Sequence, residues 1–208
     1  MKENIRNIIF DWGGVLIDLD VEACFKAFES IGFKDVRKYI SGTIEKGIFV
    51  TYEEGKCTTE EFRDGLREII GRPVTDKQID DAMYAIIKTV PVEKLELLAY
   101  LKDKYSLYML SNTNDFHFVN VFPKVFSHNG VNYQECFKKI FVSHLMKLTK
   151  PDPEIFRQVL LQADIVPEET LFIDDSPVNC KAAAAFGIHT IHYVPGQDLA
   201  ELLGVKVE

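Results

Sequence analysis

Five short apolar runs, at residues 7–11, 106–111, 140–143, 170–174 and 190–194, limit what this chain can become. They are apolar throughout instead of alternating with polar residues. That suits strands covered on both faces, as in a parallel sheet. Helical periods separate the later runs. Phe156, Val159, Leu160 and Ala163 recur at i, i+3, i+4 and i+7. Residues 177–186 read as an Ala-rich helix halted by Gly187. Strand alternating with helix predicts an α/β fold: a five-stranded, Rossmann-type parallel sheet flanked by helices.

Residues 19–89 break the alternation, because every apolar period there is helical. Val21, Cys24, Phe25 and Phe28 share one face; Phe62, Leu66, Ile69 and Ile70 a second; Ile79, Met83, Ile86 and Ile87 a third. Thr58 with Glu61, and Thr75 with Gln78, have capping-box spacing. A length of 208 residues accommodates a core with one modest extra lobe. The expected division is a catalytic core of residues 1–18 and 90–208, with a helical-bundle cap at 19–89. Two linkers, near Asp18 and near Pro91, would then lie side by side as a hinge.

Charge narrows the partners. The formal net charge is −8 and no basic block occurs, which argues against a nucleic-acid surface or an anionic membrane. No stretch approaches 18 apolar residues, so no membrane span is expected. The opening MKENIRN lacks a signal-peptide apolar core. Cys24, Cys57, Cys136 and Cys180 are scattered without a C-x-x-C pair, as expected of reduced structural thiols in a cytoplasmic protein.

In a parallel sheet, ligands bind beyond the carboxyl ends of the strands. The first run ends on Asp11, followed by Gly13-Gly14. The second ends in LSNTN, with Ser111 and Asn112. LTKPDP, carrying Lys150, follows the third, and the fourth ends in IDDSPVN, with Asp174, Asp175 and Asn179. Taken singly these are ordinary features: a turn, a helix N-cap, a solvated lysine, an acidic helix start. Together they bring three carboxylates, an ammonium and a hydroxyl–amide pair to one rim. Clustered carboxylates repel one another and need a cation, and hard oxygen donors favour Mg²⁺. A metal ion and a lysine can offset a phosphate's charge. Ser111 and Asn112 can donate hydrogen bonds to its oxygens, and an Asp can attack it.

FDWGGVL, LSNTN, the KPDP lysine and IDDSPVN, in that order, resemble the four motifs of the haloacid dehalogenase superfamily, whose members are mostly Mg²⁺-dependent phosphohydrolases. The resemblance spans the chain, including the helical insertion after the first strand. It is nearest the subgroup that contains a bacterial α-glucose-1-phosphate phosphatase. It implies Asp11 as nucleophile, Ser111 and Asn112 as phosphate ligands, and Lys150 as the neutralising cation. It also implies Mg²⁺ held by Asp11, the Gly13 carbonyl and Asp175, with Asp174 beside it through water and Asn179 behind. The implied activity is hydrolysis of a small phosphorylated metabolite, such as a sugar phosphate, through an aspartyl-phosphate.

Gly13 departs from the family pattern, which usually has an Asp there as general acid/base. The superfamily's 2-haloacid dehalogenases also lack that Asp and use their nucleophile on carbon without a metal. The acid pair Asp174-Asp175 favours phosphate chemistry, which leaves dehalogenation as the alternative. A catalytically weakened protein that binds a phospho-ligand or partner is the other. The stretch TYEEGKC resembles the cap turn that faces the site in relatives, so Tyr52, Glu53, Glu54 and Lys56 are expected specificity residues. Asp18 and Asp20 are nearby stand-ins for the absent acid. The five histidines show no metal-like grouping with the acids.

Overall fold

The computed structural model describes residues 4–40 and 47–206. Residues 1–3, 41–46 and 207–208, which the expected core and cap spans include, lie outside the described residues. The chain runs through β1 (Asn7–Phe10), then α1 (Val21–Ser30), α2 (Val36–Ile40), α3 (Ile48–Glu53), α4 (Thr59–Ile70) and α5 (Asp76–Tyr84). It continues with α6 (Val92–Lys102), β2 (Ser106–Ser111), α7 (Asp115–Asn120), α8 (Phe122–Val125), a small hairpin of β3 (Ser127–His128) and β4 (Val131–Asn132), and β5 (Phe137–Val142). It ends with α9 (Ser143–Met146), α10 (Pro153–Ala163), β6 (Thr170–Asp174), α11 (Pro177–Ala184), β7 (His189–His192) and α12 (Leu199–Leu203).

The five long strands form one parallel sheet in the order β5-β2-β1-β6-β7. The α/β expectation holds, and alternation along each strand explains the wholly apolar runs. Ile8, Phe10, Leu107, Met109, Leu171 and Ile173 point to one face, where Leu95, Leu98 and Leu101 of α6 pack. Ile9, Tyr108, Leu110 and Phe172 point to the other, against Ile155, Phe156 and Val159 of α10. Both faces are therefore apolar, as helix-covered parallel strands require. The third strand begins at Phe137, three residues before the apolar run. Its Lys138 and Lys139 are exposed because β5 lies at the sheet's edge, where one side meets solvent. The β3–β4 hairpin is too short and polar to show as a period.

The segment between β1 and α6 holds helices α1 to α5 joined by turns, with an apolar cluster of its own. Cys24, Phe28, Phe33, Tyr52, Phe62, Leu66, Ile79 and Met83 are buried together, and the cluster extends to Phe116 of α7. Val21 and Ile69, placed on the buried faces by periodicity, are exposed. Both capping boxes form. α5 ends at Tyr84, so Ile86 and Ile87 belong to the returning strand-like linker. There Asp20 N–H donates to the Ile86 carbonyl at 2.8 Å and Lys88 N–H to that of Asp18 at 3.2 Å. The outgoing and returning linkers thus run antiparallel, side by side. All four cysteines are free thiols. Among the described residues no helix is long and apolar enough to cross a membrane.

Candidate active site

β1 is the central strand: the chain goes from it outward through β2 to β5, then crosses back to β6 on its other side. This is the topological switch point, where the crevice beyond the strand ends opens. Asp11 is the first residue past β1, and its N–H still pairs with the Ile173 carbonyl of β6 at 2.9 Å. The next residues turn tightly: Leu16 and Ile17 N–H both reach the Trp12 carbonyl, and Gly14 N–H reaches that of Ile17.

A buried ammonium organises the site. Lys150 Nζ lies 2.9 Å from Asp11 Oδ1, 2.7 Å from Asp174 Oδ2 and 3.0 Å from the Leu110 carbonyl. An ammonium has three donors, and all three are used. As placed, it binds two carboxylates and lends its charge to the pocket. Burial opposes that charge, but Asp11 and Asp174 outweigh it and raise the Lys150 pKa. Burial pushes the Asp11 carboxyl up, against the pull of Lys150, and the negative Asp174 and Asp175 add to the rise. Asp11 Oδ1 also accepts from Trp12 N–H at 2.7 Å. Oδ2 has no hydrogen-bond partner among the described residues.

Asp174 is fully buried and fully occupied. Its Oδ1 accepts from Ser176 N–H at 2.8 Å and from the Asn179 amide at 2.9 Å. Asp175 is half-buried, and burial and Asp174 raise its pKa. Asp11, Asp174 and Asp175 each offer an oxygen within 4.8 Å of the others. Three carboxylates against one ammonium leave a deficit of positive charge. A divalent cation fits that deficit, and an all-oxygen donor set suits Mg²⁺ over softer metals. The Gly13 carbonyl accepts no hydrogen bond among the described residues, so it too is available.

Both glycines of the first motif have readable constraints. Gly14 has φ +77°, and a Cβ there would overlap the Asp175 carboxylate. Gly14→Ala is expected to cost about 1–2 kcal/mol in backbone strain alone. It should also displace Asp175, which a melting curve and a Mg²⁺ titration would register together; an unchanged titration would contradict the geometry. Gly13 is outside the left-handed region, and a Cβ would lie 3.2 Å from Leu19 Cδ1, the movable end of a side chain.

Ser111 is buried at the end of β2, with only a 3.5 Å contact from its hydroxyl to the Asn112 carbonyl. It remains able to donate to a ligand. Asn112 bonds across to the lysine loop. Its amide donates to the Lys150 carbonyl at 2.9 Å and its Oδ1 accepts from Lys150 N–H at 2.8 Å. The side chain clamps the lysine's main chain.

The four residues of the lobe's turn separate. Tyr52 is buried; its hydroxyl accepts from Phe116 N–H at 2.9 Å and pairs with Thr59 Oγ1 at 2.7 Å. It ties the lobe to α7. Glu54 and Lys56 pair with each other at 2.8 Å. Glu53 lines one cavity, with Asn114 and His117 of the core among its neighbours, and Tyr52 and Lys56 line another, with Asp115 and His144. Neither stand-in acid is free: Asp18 pairs with the buried Lys94 at 3.4 Å, and Asp20 caps α1 by accepting from Ala23 N–H.

Ser143 was not singled out in the sequence, although it ends the third apolar run. Its buried hydroxyl accepts from Thr113 N–H at 2.9 Å and donates to the Glu53 carbonyl at 2.7 Å. It joins the lobe to the loop after β2. The strand-end rule that picked out Ser111 would have found it.

A model of haloacid dehalogenase-like hydrolases matches residues 5–187. The chain therefore belongs to this hydrolase family. It is 33% identical over 201 residues to a D-ribitol-5-phosphate phosphatase of Bacteroides thetaiotaomicron, covering 97% of this chain and 98% of that one. Among solved structures, a haloacid dehalogenase family enzyme of the same bacterium, in complex with magnesium and inorganic phosphate, superposes with a TM-score of 0.90. Its identity is 44%, over 95% of this chain and 98% of that one. An L-2-haloacid dehalogenase of Xanthobacter autotrophicus superposes with a TM-score of 0.63 at 18% identity, over 98% of this chain and 84% of that one. That likeness shows a shared fold alone.

Proposed function

We propose that the chain is a Mg²⁺-dependent phosphomonoester hydrolase for a small sugar- or polyol-type phosphate, working through an aspartyl-phosphate on Asp11. The observation that carries this reading is the buried cluster of three carboxylates around Lys150, with one Asp11 oxygen unengaged. The polyol phosphatase named above and the relative solved with magnesium and phosphate support it. The dehalogenase alternative has the fold and the absence of an acid at Gly13 in its favour, and the acid pair against it. A binding-only role has no missing residue to recommend it beyond Gly13.

In this reading Asp11, Asp175 and the Gly13 carbonyl would hold Mg²⁺, whose positive charge would offset that of a phosphate dianion beside a carboxylate. Asp174 and Asn179 hold the acid pair and Lys150 in register. Ser111 donates to a phosphate oxygen. Asp11 Oδ2 forms a bond to phosphorus as the bond from phosphorus to the alcohol oxygen breaks, and the departing oxygen gains a proton. Water then attacks phosphorus, loses a proton and breaks the bond to Asp11, which releases inorganic phosphate and restores the carboxylate. Residues 19–89 act as a cap over the core of 1–18 and 90–208. Closure around the side-by-side linkers excludes water. Phosphate release from a panel of phosphorylated metabolites, with and without Mg²⁺, tests the reading; no release from any of them would refute it.

Gly13 sets a further expectation. A positioned general acid is worth about 10²–10⁴-fold in rate. Without one, single-turnover cleavage should fall steeply as the leaving alcohol's pKa rises, so aryl and anomeric phosphates should outrun alkyl ones. Because the backbone at 13 suits a side chain, Gly13→Asp should flatten that dependence. A flat profile in the unaltered protein would place the proton donor elsewhere.

A further inference from the structure

A second buried ammonium, with no part in the proposed chemistry, braces the turn after the nucleophile. Lys94 is only 7% exposed, although it stands in the first turn of α6, where a positive charge opposes the helix dipole. A buried charge set against a local preference points to a contact that requires it. Lys94 Nζ donates to the Val15 carbonyl at 2.7 Å, lies 3.4 Å from Asp18 Oδ1 and sits 5.2 Å from the centre of the Tyr193 ring. Val15, Leu16 and Ile17 are fully buried, and among the described residues no backbone N–H reaches the Val15 carbonyl. A buried carbonyl needs a donor, and the lysine supplies it.

These contacts join two stretches of chain that meet at the acid cluster. Val15 lies two residues past Gly13, in the turn that closes on the Trp12 carbonyl and on the bridge between Gly13 and Ile17. Tyr193 follows β7, and its N–H donates to the Asp174 carbonyl at 2.9 Å. Lys94 thus stands between the first-motif turn and the chain that braces the acid pair. Resting on the phosphatase reading, we propose that Lys94 is a positioning residue for the metal: it fixes the turn of residues 12–17, and so keeps the Gly13 carbonyl in register with Asp11 and Asp175. A main-chain carbonyl has no rotamer of its own, so the turn alone aims it. Mg²⁺ tolerates little departure from its preferred ligand geometry, which makes its affinity a sensitive measure of that aim. Lys94 itself touches neither metal nor substrate.

The test is Mg²⁺ binding to the full chain, measured by calorimetry without substrate. Partners standing behind metal ligands are typically worth about 10–100-fold in affinity, so Lys94→Met, which keeps the length but removes the charge and the donors, should raise the Mg²⁺ Kd by about tenfold or more. Val159→Ala separates this from a loss of stability. It thins the core on the other face of the sheet, so it should lower the melting temperature yet leave Kd within about twofold, since separate sites act independently. An unchanged Kd in Lys94→Met would overturn the proposal, as would an equal loss of affinity in Val159→Ala. Where Lys94→Met fails to fold, the unaltered chain decides. The ¹⁵N resonance of the Lys94 ammonium should shift as Mg²⁺ binds, and a resonance that stays in place through saturation would overturn the proposal. Mg²⁺ binding by the unaltered chain with no effect at Lys94 sinks only this assignment; no Mg²⁺ binding at all sinks the phosphatase reading with it.

Discussion

Asp11→Asn is expected to lower phosphate release by about 10⁴-fold or more, as removal of a covalent nucleophile typically does. The substitution keeps shape. An Asn oxygen in the place of Oδ1 can still accept from Trp12 N–H and Lys150, which hold Asp11 at 2.7 and 2.9 Å. What changes is the other atom, where an amide nitrogen replaces the oxygen that would attack phosphorus. The electrostatics also make the fold indifferent to the loss, or better for it. Burial and the neighbouring Asp174 and Asp175 all disfavour a charge on Asp11. Without Mg²⁺, the Asn variant should therefore melt no lower than the unaltered chain. Steady-state phosphate release and a melting curve on one preparation check both halves. Turnover near the unaltered rate would mean that another group attacks.

Metal removal is the second large effect. A chelator should abolish hydrolysis and added Mg²⁺ should restore it, because only one ammonium faces three carboxylates. Asp175→Ala should raise the Mg²⁺ concentration needed for half-maximal activity by about tenfold or more, in line with loss of a charged oxygen ligand. Asp174→Ala should behave differently. Asp174 is fully buried and accepts from Lys150, Ser176 and Asn179. Breaking a buried pair from one side typically costs about 3–5 kcal/mol. Its loss should appear first as instability, and only then in metal affinity. Hydrolysis that persists in chelator would contradict the assignment of the cluster.

The core of the fold was legible because its physics is periodic. Buried parallel strands give apolar runs, amphipathic helices give three-to-four spacing, and both capping boxes stood in the sequence and formed. The edge strand was read three residues short because Lys138 and Lys139 face solvent, which no rule for buried strands anticipates. Residue types at strand ends located Asp11, Ser111, Lys150 and the acid pair on one rim, since strand direction alone fixes that side. Their partners were not legible. Nothing local to Asn112 says that its amide closes on the main chain of Lys150, 38 residues on. Nothing in TYEEGKC says that Tyr52 turns inward while Glu53 faces the cavity. Such choices are made by packing between distant segments. Gly14 is similar: a Gly-Gly pair signals a turn, but the neighbour that forbids a side chain, Asp175, lies just past the end of β6.

The most direct test of the account is to catch the phosphoryl group on the enzyme. Turnover of an aryl phosphate, stopped with acid within the first catalytic cycles, should leave an acyl-phosphate that borohydride reduces, and peptide mapping should place the reduced residue at Asp11. The amount should follow the burst of released alcohol and vanish in Asp11→Asn. A burst with modification at any other residue, or steady phosphate release with retained ester oxygen chemistry and no trapped acyl-phosphate at Asp11, would contradict it.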